Sequence, residues 1–175
     1  GAIVANEFIG DLYYEGRGVP QNYKKAHTYY TKNDKRIKKG NHTLSTWYRL
    51  GEMYRLGLGI KKNMDKAVEC YGKAFDTLNG YPDYFQYPCV FRHDQIVVME
   101  HYQIHERKEL EDICHDLREI QNHFKENPDG LKRTDITIEE INKVVEEAEK
   151  QLREFPEEGE FHSFECKPPI TLEEF

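Results

Sequence analysis

A pattern of glycines, tyrosines and asparagines occurs twice in this chain at a fixed offset of 41 residues. Gly10 pairs with Gly51, Tyr13 with Tyr54, Gly16 with Gly57 and Gly18 with Gly59. The match runs on without a gap through Val19 and Ile60, Asn22 and Asn63, Lys25 and Lys66, Ala26 and Ala67, and Tyr30 and Tyr71. A constant period in this range is the mark of stacked repeats. A unit of that size cannot bury its apolar face alone, so each neighbour has to cover it.

The residue types specify each unit. Ile9, Leu12 and Tyr13 fall at helical spacing, as do Leu50, Met53 and Tyr54. Gly10 and Gly51 lie inside those helices, where glycine costs about 1 kcal/mol against alanine. Two such glycines at one register predict that another helix passes too close for a Cβ. Gly16 and Gly57 suit left-handed C-terminal caps, and Asn22 and Asn63 suit N-caps of a second helix. Ala26 and Ala67 are small enough to face the first helix. The unit is helix, glycine-rich loop, helix.

Residues 9–30 and 50–71 resemble the Sel1-like repeat, a relative of the tetratricopeptide repeat. The shared pattern is Leu-Gly-x-x-Tyr-x-x-Gly-x-Gly-Val-Pro-x-Asn-x-x-Lys-Ala-x-x-Tyr-Tyr. The second copy departs from it with Lys61 for Pro and Cys70 for the first Tyr. The resemblance covers roughly residues 2–78 and implies an all-α chain, an α/α solenoid whose first helices line a concave face. It also implies an adaptor or scaffold for other proteins, with no catalytic residues and no cofactor.

Beyond the second unit the pattern breaks at Asn79–Pro88, where two prolines and Gly80 exclude regular helix and four aromatic residues cluster. Residues 89–103 read as helical; a third unit would place its glycine at Arg92, so 89–126 is at most a degenerate third repeat. Leu110, Ile113, Leu117, Ile120 and Phe124 step by three and four, and Asn127–Gly130 reads as a turn. Thr137-Ile138-Glu139-Glu140 is a capping box opening a helix whose apolar face is Ile138, Ile141, Val145, Ala148, Leu152 and Phe155. Two such helices predict an antiparallel helical hairpin. The organisation expected is two Sel1-like repeats over 1–80, a helical extension or cap over 81–155 and an acidic tail over 156–175. A further helix is expected to begin at Ile170–Phe175. The chain opens with Gly1 inside a helix, which reads as a fragment of a longer protein.

Charge divides unevenly. Residues 1–99 carry 15 Lys and Arg against 10 Asp and Glu, whereas 100–175 carry 10 against 22. Such halves attract each other or recruit partners of opposite sign. Lys24, Lys25, Lys32 and the connector Asp34–Asn41 form the one strongly basic patch. Its functional reading is a site for an acidic protein segment or nucleic acid. Its plain and preferred reading is a solvated inter-repeat loop, and nucleic acid is disfavoured. No apolar run reaches membrane-spanning length. The four cysteines form no C-x-x-C pair, which fits reduced thiols and a cytoplasmic setting.

His101 and His105 stand at i, i+4, a spacing that can chelate a divalent metal on a helix. A metal-dependent hydrolase is therefore one alternative, disfavoured because Tyr102 follows His101 where the metalloprotease pattern needs Glu. A second alternative is a structural or regulatory domain of a larger enzyme such as a kinase, its repeats packed on its own acidic C-terminal helices. The reading preferred here is a protein-interaction module that takes a partner peptide or helix. Removing the family core positions from the first helices leaves Glu7, Asp11 and Tyr14, and at the same registers Tyr48, Glu52 and Arg55. Each trio runs i, i+4, i+7 and forms one stripe. Tyr and Arg are frequent interface hot spots, so these six are the candidate partner-binding residues.

Overall fold

The computed structural model describes residues 2–32 and 42–156. The basic connector at 34–41, the tail beyond Pro156 and the helix expected at Ile170–Phe175 lie outside the described residues. Every regular element among the described residues is helical. The chain divides into two compact units, Gly1–Val97 and Val98–Phe175.

The first unit begins with α1 (Ala2–Glu15) and α2 (Tyr23–Thr31), then α3 (Leu44–Leu56) and α4 (Met64–Asp76). Each pair is packed side by side, α1 on α2 and α3 on α4. The punctuation works as the sequence predicts. Asn22 Oδ1 accepts the Lys25 N–H and Asn63 Oδ1 the Lys66 N–H, each at 3.0 Å. Thr43 caps α3 through the Thr46 N–H. Gly57 closes α3 in the left-handed region, at φ 71°, where a side chain would be strained.

The interior glycines explain why the helices lie so close. A Cβ on Gly10 would stand 2.5 Å from the Tyr30 ring, and one on Gly51 2.7 Å from the Tyr71 ring. Each tyrosine ring of the second helix therefore fills the space that a side chain on the first helix's glycine would need. Tyr30, Tyr71, Ala26, Ala67 and Met53 are fully or almost fully buried, and Trp47 is nearly so. A buried large apolar side chain contributes about 1.5–3 kcal/mol, so these few anchors carry much of the unit. Trp47 is a core residue, with His42 packed edge-on against its ring at 4.7 Å and the Lys73 ammonium 4.5 Å over it.

After α4 a short 3₁₀ turn, Tyr84–Gln86, leads into α5 (Pro88–Met99). Tyr84 packs edge-on against Phe75 at 5.4 Å, so the aromatic cluster folds back over the end of α4. Helix α5 buries Cys89, Val90, Phe91 and Arg92. Its His93 ring comes within 3.6 Å of the Cβ position of Gly72, which places α5 against α4. The helix expected over 89–103 ends earlier. Met99 is its last residue, His101 takes φ 54°, and residues 102–106 belong to no helix. His101 and His105 consequently share no helix face, and the chelating geometry is not formed. Among the described residues no group of His, Cys, Asp and Glu could hold a metal ion.

The second unit is a helical hairpin of α6 (Arg107–Glu126) and α8 (Ile138–Glu154). Leu110, Cys114, Leu117, Ile120 and Phe124 of α6 are buried, as are Ile141, Val144, Val145 and Ala148 of α8. The polar rungs run antiparallel. Arg107 at the start of α6 donates to the Leu152 carbonyl at the end of α8, and Gln121 donates to Asn142 at 2.7 Å. Arg118 and Glu149 form an ion pair between them. The expected turn at Asn127–Gly130 is instead the entry to a short helix, α7 (Pro128–Lys132), because Pro128 has the fixed φ and missing N–H that suit a first helical turn. The capping box is complete, with Thr137 and Glu140 each accepting the other's backbone N–H at 3.1 Å.

Candidate interaction surface

The six candidate residues are built into polar clusters, one set in each repeat. In the first repeat the Tyr30 hydroxyl donates to Asp11 Oδ1 at 2.6 Å, and Arg49 Nη1 donates to the same oxygen at 2.8 Å. Arg49 also holds Glu15 at 2.5 Å and lies 4.8 Å over the Tyr14 ring. Tyr14 in turn meets the Tyr23 ring edge-on at 5.2 Å. Glu7 is buried and hydrogen-bonded to His42 at 2.8 Å. Arg49 and His42 both belong to the second repeat, so each first-repeat carboxylate is satisfied from across the boundary.

In the second repeat the register is the same but the cation comes from elsewhere. The Tyr71 hydroxyl donates to Glu52 Oε1 at 2.5 Å, the contact equivalent to Tyr30 on Asp11. Arg55, three residues on, holds both Glu52 oxygens and donates its Nε–H to the Tyr71 hydroxyl at 3.0 Å. Arg92 of α5 approaches Glu52 to 3.9 Å, so α5 supplies the charge that a following repeat would otherwise bring. Tyr48 leans on the Tyr71 ring at 5.7 Å between centroids.

The electrostatics follow from this geometry. Burial raises the Tyr30 and Tyr71 hydroxyls above their ordinary range, and the neighbouring carboxylates add to it. Both tyrosines therefore remain neutral donors. The hydrogen bond from Arg49 holds the Glu15 carboxyl below its ordinary value, with burial opposing. Of the six residues, Glu7 and Glu52 are interior, while Asp11, Tyr14, Tyr48 and Arg55 are half-buried. Arg55 is held by Glu52, while the Tyr14 ring lies under the Arg49 guanidinium and the Tyr48 ring rests against Tyr71.

Two clefts flank the repeats. One, of about 670 Å³, lies where the aromatic segment folds back, between Phe75, Leu78, Tyr81 and Tyr84. The other, of about 400 Å³, is lined by His27, Tyr54, Ile60 and the lysines at 61, 62 and 66. Sequence reasoning assigned neither, and it missed Arg49, His42 and Arg92 as cluster members. Arg49 shares a register with Phe8, which is 57% exposed, so the repeat alignment itself gave no signal for it.

The Sel1 repeat family model matches residues 3–32 and 48–76. These two segments are Sel1 repeats. Among solved structures, the Sel1 repeat protein from Oxalobacter formigenes is similar at 26% identity, over 69% of this chain and 43% of that one, with a TM-score of 0.49. The present chain thus spans less than half the length of that protein. No curated protein matches the chain. Sel1 repeats are generally protein–protein interaction modules, and no helix among the described residues is long and apolar enough to cross a membrane.

Proposed function

We propose that this chain is a non-catalytic adaptor that receives a peptide or helix of a partner protein on the first-helix face of its Sel1 repeats. The observation that carries the reading is the set of polar clusters behind Tyr14, Tyr48 and Arg55. Tyr and Arg dominate protein interfaces when their orientation is fixed before contact, because less side-chain entropy is then lost on binding. Asp11 and Glu52 do that fixing here through Tyr30, Arg49, Tyr71 and Arg55.

The same geometry selects the variants. Reversing Arg55 to Glu would set a second carboxylate against buried Glu52 and threaten the fold. Tyr14→Ser with Tyr48→Ser trims the presented rings, and Arg55→Lys keeps the charge while removing the planar fork. The test is recovery of partners from the native host by wild type and by these variants, followed by reconstitution of each candidate pair from purified proteins. The reading expects a partner whose affinity drops at least about tenfold in the Tyr14→Ser, Tyr48→Ser variant. Partners bound equally by all variants would refute this face as the site.

A further inference from the structure

The loop of the first repeat and the loop of the second are the same backbone object. Gly16 and Gly18 take φ 69° and 76°, and Gly57 and Gly59 both take 71°. The Asn22 N–H donates to the Tyr13 carbonyl at 2.9 Å, and the Asn63 N–H to the Tyr54 carbonyl at 2.8 Å. The first repeat builds this turn from Val19-Pro20-Gln21, the second from Ile60-Lys61-Lys62. The architecture therefore makes no demand for lysine at 61 or 62.

Nor does the fold neutralise them. Among the described residues, neither Lys61 nor Lys62 makes an ion pair or a side-chain hydrogen bond. The Lys66 ammonium sits 5.4 Å over the Tyr54 ring rather than on a carboxylate. These lysines, with His27, Tyr54, Ile60 and Asn63, form the wall of the cleft of about 400 Å³, and that wall contains no acidic residue. Lys24 and Lys25 stand beside it at the start of α2. Gly59 lies so close to them that a Cβ would be 2.5 Å from the Lys24 amide nitrogen. The floor is braced by the bond between the Tyr54 hydroxyl and His27 Nε2, at 3.0 Å. Gathering ammonium groups in a recess is unfavourable by itself and becomes favourable when an anion enters.

We propose that this cleft docks an acidic segment of a partner protein. Lys61, Lys62 and Lys66 receive its carboxylates, and Ile60 and Tyr54 take an apolar residue beside them. A nucleic acid would meet the same lysines, but the apolar Ile60 beside Tyr54 in the wall favours a peptide that carries an apolar side chain among its carboxylates. The proposal does not rest on the first-helix face, since Tyr14, Tyr48 and Arg55 take no part in this wall.

The experiment is fluorescence anisotropy of a labelled short peptide rich in Glu and Asp with a central Leu, titrated with the full chain. Lys61→Glu with Lys62→Glu is expected to weaken binding about tenfold or more, as each exposed pair turns from attraction to repulsion. Lys143→Glu with Lys150→Glu alters the net charge equally on exposed positions of α8 and should leave binding unchanged, as should Tyr48→Ser. Lys61→Pro with Lys62→Gln installs the first repeat's own loop residues, which that backbone already accommodates, and is expected to lose binding with Trp47 fluorescence intact. The proposal is overturned if wild type binds the acidic peptide no better than its Gln and Asn counterpart. It also fails if the α8 variant loses as much, or if a single-stranded oligonucleotide of equal charge displaces the peptide at lower concentration.

Discussion

Replacing Gly51 by alanine should destabilise the repeat unit, although alanine is the better helix former. The added methyl would stand 2.7 Å from Tyr71 Cε1, 2.8 Å from Cδ1 and 2.9 Å from Cζ. Carbon atoms rest at about 3.5–4.0 Å, so the ring must retreat by close to an ångström. Tyr71 is fully buried, and its hydroxyl is anchored to Glu52 at 2.5 Å and to Arg55 at 3.0 Å. Overpacking costs about 1–3 kcal/mol. Weakening the bond to a buried carboxylate costs about 1.5–3 kcal/mol. Against these stands a propensity gain of about 1 kcal/mol. The net expectation is a loss of about 1.5–5 kcal/mol. Gly72 is the control, since it too lies inside a helix but its nearest neighbour is His93 at an ordinary 3.6 Å. There alanine should stabilise by about 0.5–1 kcal/mol. Trp47 is the sole tryptophan and sits in α3, so urea unfolding followed by its fluorescence reports on this unit. If the Gly51→Ala midpoint matches or exceeds wild type, or both variants shift the same way, the close-packing argument fails.

Other expectations follow from single contacts. The Glu15 carboxyl is lowered from 4.5 by its hydrogen bond with Arg49. Its contribution is full above 4.5 and is lost as pH falls through the lowered value. Glu15→Gln should therefore flatten the acid limb of a thermal-stability profile, modestly because the group is largely exposed; an unaltered acid limb would count against the pairing. Burial pushes the Cys89 thiol up to about 12. At pH 8 a thiol reagent should modify it about a thousandfold more slowly in the native chain than in urea, as mass spectrometry of the labelled peptide would show. Thr137→Ala removes one arm of the capping box and should cost the second unit about 1 kcal/mol, read by far-ultraviolet circular dichroism during melting. No change there would mean that packing of α8 on α6 alone sets its start.

The repeat frame was legible because the sequence states it twice. Gly51 and Tyr71, and Gly10 and Tyr30, pair at one offset, so the close approach could be inferred from register before any coordinates. The caps at Asn22 and Asn63 and the box at Thr137 were legible for a different reason, being satisfied within a few residues of themselves. Contacts made only once were not. Arg49 reaches back across the boundary to Asp11 and Glu15, while the residue at its register in the first repeat is Phe8. Glu7 and Glu52 read as surface carboxylates because helical spacing gives a face but not the partner on it, and His42 and Tyr71 bury them. The basic cleft was hidden by distance along the chain, since Lys61 and Lys62 are brought beside His27 only when the repeats stack. The early end of α5 had no glycine or proline to announce it.

Arg49 and His42 also give the stack a sense of direction. Each serves the unit before its own, so the helix pair is not the smallest part that can be cut out and joined elsewhere. A piece ending at Thr31 would keep Tyr30 on Asp11 and Arg17 beside Glu15, yet lose Arg49 from both carboxylates and His42 from buried Glu7. A cassette for lengthening or grafting this scaffold must carry the opening of the next helix, through Arg49, as its clasp. Joined in the reverse order, the same two helix pairs would have no such fastening.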